Sequence, residues 1–129
     1  MGIQVLSAKK YTQKLKVTVQ VTGRLGFSDE TAKAFRFSEG AAYVKFLRDP
    51  DTQAMYMAIL YKEDEDAFKV CKAGLYYYLS TTQLFSELGV DYKNNTVIYD
   101  LLRCAQYDEA FGGLVCQMNP RIIKRRKTM

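Results

Sequence analysis

The residue types able to do chemistry in this chain of 129 residues are few and unevenly placed. It contains no His, which excludes an imidazole base, a serine–histidine pair and a histidine metal ligand. General acid–base work would fall to Asp, Glu, Lys, Tyr or Cys. No carboxylate pair, P-loop, dinucleotide fingerprint or nucleophile elbow accompanies them. Cys71, Cys104 and Cys116 stand far apart with no C-x-x-C, and they read as small, partly buried thiols of a reducing compartment. Glu63, Asp64, Glu65 and Asp66 crowd four carboxylates together without the glycine and alternating spacing of a hard-cation loop, so they read as an exposed loop. GRLGFS at 23–28 holds a G-x-x-G that is too short for a phosphate cradle and reads as a turn. The expectation is a protein without catalysis, metal or cofactor.

What remains is charge and stacking. Residues 1–28 carry Lys9, Lys10, Lys14, Lys16 and Arg24 and no acid; the last nine carry Arg121, Lys124, Arg125, Arg126 and Lys127 and no acid. Residues 29–120 hold 9 Lys and Arg against 14 Asp and Glu. Basic ends attract phosphate by Coulomb forces and counterion release, and the acidic middle must then face away from it. A solvated tail that only aids solubility is the competing reading of RIIKRRKTM. The 10 Tyr and 5 Met suit a protein interface, with Met55, Tyr56, Met57 and Tyr76–Tyr78 spread over both faces of their strands. Tyrosines standing out from a strand can instead stack on single-stranded bases.

The elements that must position these groups follow from periodicity. KLKVTVQV at 14–21 alternates strictly, putting Leu15, Val17, Val19 and Val21 on one face and Lys16, Thr18 and Gln20 on the other, as in a half-buried strand. Gly23 and Gly26 permit a turn or bulge. Ser28 then caps a short helix over Asp29–Phe35, whose first-turn Asp29 and Glu30 suit the helix dipole. AAYVKFLRD, a turn at PDTQ, and AMYMAILYK read as a hairpin. AFKVCKAGLYYYLS reads as two strands broken near Lys72–Gly74, and STTQLFSELG as a helix capped by Ser80 or Thr81 and closed at Gly89. NNTVIYDLL is a turn and strand, and CAQYDEAFGGLVCQM a further strand or irregular pair around Gly112–Gly113. The N-terminus lacks the apolar core of a secretory signal and no run reaches the roughly 18 apolar residues of a membrane span. A cytoplasmic protein with no membrane partner is the expectation.

The chain also repeats itself. Laying KVTVQVTGRLGFSDETAKAFRFSEGAAYVKFL on FKVCKAGLYYYLSTTQLFSELGVDYKNNTVIYDLL aligns Gly23 with Gly74, Ser28 with Ser80, Phe35 with Leu88, Phe37 with Val90 and Val44 with Val97. Each copy has the order strand, glycine, short strand, capped helix, apolar–x–apolar exit, turn, strand. This order, with GRLGFS at 23–28 and FRFSEG at 35–40 in the first copy and AGLYYYLS at 73–80 and LGVDYKN at 88–94 in the second, resembles the AbrB/SpoVT swapped-hairpin family over roughly residues 14–103. The two-copy arrangement is similar to that of MraZ-type proteins, in which one chain closes the barrel on itself. The second copy lacks arginine between Gly74 and Gly89, and Ser28 and Ser80 stand where the family has proline.

The resemblance implies one domain over residues 1–129, α+β and mainly antiparallel, with halves 14–60 and 69–103 closing into a pseudo-twofold barrel carrying two short helices, followed by a basic tail over 121–129. It further implies a DNA-binding, transcription-regulating module, either a monomer with a pseudo-dimeric barrel or a homodimer. Lys14, Lys16, Arg24, Lys33, Arg36, Lys124, Arg125, Arg126 and Lys127 are the expected nucleic-acid contacts, Arg24 and Arg36 nearest base edges. The alternative is an assembly module, antitoxin-like or a mobile-element accessory, whose partner is another protein chain.

Overall fold

The computed structural model describes residues 2–6, 8 and 14–124. Lys9, Lys10, Arg125, Arg126 and Lys127 lie outside the described residues. The fold is α+β: β1 (Leu15–Val19), β2 (Leu25–Phe27), α1 (Asp29–Ala34), β3 (Tyr43–Arg48), β4 (Met55–Leu60), β5 (Phe68–Lys69), β6 (Cys71–Ala73), β7 (Tyr76–Leu79), α2 (Thr82–Glu87), β8 (Asn95–Arg103), α3 (Asp108–Phe111) and β9 (Leu114–Lys124). All strand pairs are antiparallel, in one sheet ordered β5-β3-β4-β9-β8-β1-β2-β7-β6. β5 and β6 are one chain segment interrupted only at Val70, whose N–H donates to Ala42 O (2.9 Å), so the two sheet edges nearly meet and the sheet is a nearly closed barrel.

The topology follows the repeat. Exchanging β1, β2, β3 and β4 for β5/β6, β7, β8 and β9 reproduces the same ring order, as an internal twofold requires. Each half's first strand pairs with the other half's hairpin, β1 with β8 and the β5 part of its counterpart with β3. A half therefore cannot bury its own apolar face. The short helices occupy matching places, α1 over 29–34 and α2 over 82–87, and both Gly23 (φ +84°) and Gly74 (φ +63°) take the left-handed conformation.

Local chemistry explains most elements. Ser28 caps α1, its Oγ accepting from the Thr31 N–H (3.2 Å) as expected. The β3–β4 hairpin closes through Asp49 N–H to Ala54 O (2.8 Å), with Asp49 Oδ1 accepting from Asp51 N–H (2.9 Å). Four corrections arise. The second helix begins after Thr81, whose hydroxyl caps no helix amide. Instead it accepts from the buried Leu25 N–H (3.0 Å) and donates to Gly23 O (3.0 Å), so it holds β2. Leu88, aligned in the repeat with the buried Phe35, is not buried like it but only half-buried, because Phe85 fills the core from α2, packing on Phe46 and Tyr99 with ring centroids 6.1 and 6.2 Å away. A third short helix, α3, lies in the β8–β9 connection. Finally, Arg121–Lys124 are the end of β9, paired with β8 through Asn95↔Lys124, and not the start of a tail.

The interior is lined by alternate residues of every long strand, among them Val17, Val19, Leu25, Val44, Met57, Ile59, Leu79, Val97 and Cys116. Outside the barrel, Ala58, Leu60, Cys104 and Val115 form a second small buried cluster, packed by Tyr43, Leu47 and Tyr56. Burial pushes the Cys116 thiol up to about 11.

Candidate nucleic-acid interface

The outer face of β1 and β2 brings together three of the expected cations, Lys14, Lys16 and Arg24. Leu15, Val17 and Val19 point inward and are buried, so Lys16 and Thr18 must point out. Gln20 N–H donates to Arg24 O (2.8 Å) across the turn, which sets Arg24 opposite Gln20 on that outer face. Gln20, opposite Arg24, lies four residues along the chain from Lys16, about 13 Å at the usual strand rise, and Lys14 lies two residues beyond Lys16. The edge of β1 at Lys16 is held by Thr31 of α1. Its Oγ1 accepts from Lys16 N–H (2.8 Å) and donates to Lys16 O (3.0 Å), so this buried threonine fixes the backbone that carries the lysine.

One strand over, Asp100 stands directly across from Lys16 and takes a two-pronged bond from Arg121, Nε to Oδ2 at 3.0 Å and Nη2 to Oδ1 at 3.2 Å. That bond, reinforced by the charges of Arg121, Lys16 and Lys14, holds the Asp100 carboxyl below its usual range. Lys14, Lys16, Arg24 and Arg121 thus share an outer surface with Asp100, and these five groups together are net positive. Arg121 is missing from the expected nucleic-acid contacts because the sequence reading places it at the start of a basic tail over 121–129, whereas it lies within β9. Cys104 N–H bonds Val115 O (2.8 Å), and by alternation Pro120, opposite Tyr99, falls at a non-bonded position where its missing donor would face the open edge beyond Met118↔Met55. The tolerated proline, read with the alternation of VCQMNPRIIK, is the signal that would have found it.

Lys33 and Arg36 do not join this surface. Lys33 borders a hollow of about 310 Å³ with Leu75 and Tyr77, and Arg36 borders another of about 650 Å³ with Tyr61 and Leu114. Arg36 adopts a left-handed backbone (φ 57°), with its Nε 3.7 Å from Glu39 and both side chains largely exposed. Lys124 lies at the far end of β9, across from Asn95. The acidic loop is tied down by Lys45, whose Nζ is 2.8 Å from Asp64 Oδ2 and whose bond keeps the Asp64 carboxyl low.

Beside the basic band lies an aromatic face. The Tyr76 and Tyr78 rings stack at 5.9 Å with planes 14° apart, and the Arg24 guanidinium sits 4.5 Å above the Tyr78 ring centre. Tyr77, between them, turns inward onto Phe37 (5.6 Å). Across the sheet from Tyr78 is Gly26, where any Cβ would run into the Tyr76 hydroxyl, which bonds Gln20 Nε2. No family model matches the chain, and no curated protein or solved structure matches it.

Proposed function

We propose that this protein is a non-enzymatic nucleic-acid-binding module of the swapped-hairpin kind, which meets a phosphate backbone along the outer face of β1, β2 and β8. The observation that carries the reading is the alignment of Lys14, Lys16, Arg24 and Arg121 on one sheet surface with Asp100 already neutralised by Arg121. Such a surface attracts phosphate without the like-charge penalty that the acidic middle of the chain would impose. The likeness to AbrB/SpoVT proteins rests on the repeat and on the exchange of first strands between halves. A regulatory role in transcription follows from that likeness alone.

The test is binding to duplex and single-stranded DNA as a function of salt. Lys14→Gln with Lys16→Gln, and separately a chain ending at Lys124, should weaken binding to all sequences alike. For each phosphate that the protein ceases to neutralise, the slope of log affinity against log salt should flatten by about 0.7–0.9. Absence of binding to either form at low salt would overturn the reading.

The second reading, an assembly module, is favoured by one feature. Leu47, Tyr56, Tyr107, Phe111 and Val115 line an outer groove of about 200 Å³, and Tyr107 and Phe111 are 42% and 41% exposed. Sedimentation of the protein with and without Phe111→Ser discriminates: a dimer that dissociates on this change supports it.

A further inference from the structure

We propose that Arg24, Tyr78 and Tyr76 form a stacking platform for one unpaired base, so that the nucleic acid held by the basic band is single-stranded over the β2–β7 face. This rests on the nucleic-acid reading above and goes beyond it by naming the form of the ligand. On the outside of the sheet the Arg24 guanidinium lies 4.5 Å from the Tyr78 ring centre, and the Tyr78 and Tyr76 rings run nearly parallel with centroids 5.9 Å apart. The interior is already filled by Tyr77, Leu79 and Leu25, so the outer stack adds little to the main core.

The stack is also prepared in advance. Gly26 on β2 leaves the space that Tyr76 crosses, and Gln20, just past the end of β1 on the far side of β2, holds the Tyr76 hydroxyl. A glycine inside a strand marks a place where another group must come close. Arg24 is exposed and has no carboxylate partner among the described residues, so its flat head is the open end of the stack. A nucleobase laid on that head becomes a fourth plane, and its backbone then runs toward Lys16 and Lys14 along the same face. Every base has a π-face, so the contact tolerates sequence, and a base inside a duplex cannot offer that face.

The experiment compares oligothymidylate with an abasic oligonucleotide of equal length and with a duplex. The wild-type protein should prefer the thymidylate strand to the abasic one by about 5- to 150-fold, the range of one stacked base. Tyr78→Ala should bring the two affinities together, whereas Tyr78→Phe should keep the preference. Arg24→Lys retains the charge and loses the plane, so it too should reduce the preference. Far-UV circular dichroism confirms that each variant is folded. The chain has no Trp, so Tyr78→Trp supplies a single indole whose fluorescence thymidylate should quench and the abasic strand should not. Equal wild-type affinity for abasic and thymidylate strands, or tighter binding of the duplex, overturns the platform while leaving phosphate binding intact. Failure to bind any of the three overturns both proposals.

Discussion

Replacing Thr81 by Val tests the reasoning about how the halves are joined. Thr81 is fully buried at the start of α2, and its hydroxyl serves the first half of the chain, accepting from Leu25 N–H and donating to Gly23 O, each at 3.0 Å. Valine keeps the shape and removes the hydroxyl. The Leu25 N–H and Gly23 carbonyl then lose their partner in a buried place, and an unsatisfied buried donor costs about 1–3 kcal/mol. Burial of the added methyl offsets part of this, on the order of 0.8 kcal/mol. A net loss of about 1–2 kcal/mol is expected. Thr81→Ser keeps the hydroxyl and gives up only a methyl, so it should cost less than the valine change. Ser80→Ala, at an exposed position outside the helix, should fall within about 0.5 kcal/mol of wild type. Urea unfolding followed by circular dichroism measures all three. A valine variant as stable as wild type, or a Ser80→Ala variant as damaged as it, would refute the view that this hydroxyl binds the halves together.

In the core, Phe85→Ala should cost about 3–5 kcal/mol by urea unfolding and Leu88→Ala clearly less, because Phe85 is fully buried and Leu88 is not. Gly113→Ala should be strongly destabilising in a thermal melt, since a Cβ there would press on the Ile59 carbonyl, which is backbone and cannot swing aside. Alkaline pH should also destabilise. Burial raises Cys116 from its ordinary 9.0 to about 11, so the folded state favours the neutral thiol, and that contribution is whole below pH 9 and is lost as pH climbs through 11. Cys116→Ala should therefore lose less stability than wild type between those pH values, by about 2–3 kcal/mol, as read from urea midpoints at each pH.

Val21 continues the alternation in sequence but is exposed in the turn after β1. The alternation of residues 14–19, the Ser28 cap and the hairpin around Pro50 are properties of neighbours in sequence, governed by backbone preference and local hydrogen bonding, and the near match of Gly23 with Gly74 is read by laying the chain on itself. They determined the α+β class, the two matching helices and the doubled architecture without any knowledge of contacts. Tertiary structure alone decided which strand pairs with which. Only the exchange of β1 and β5 between halves puts Thr81 on β2 and sets Tyr78 beside Gly26, residues 52 apart in sequence, and only β9 pairing on β8 brings Arg121 to Asp100 and Lys16. It likewise separated Lys33 and Arg36 from Arg24, with which the family resemblance had grouped them. The physical reason is that periodicity specifies the face on which a side chain emerges, whereas its neighbours across the sheet depend on register between distant segments, and that register is set by burying both halves' apolar faces in one shared core.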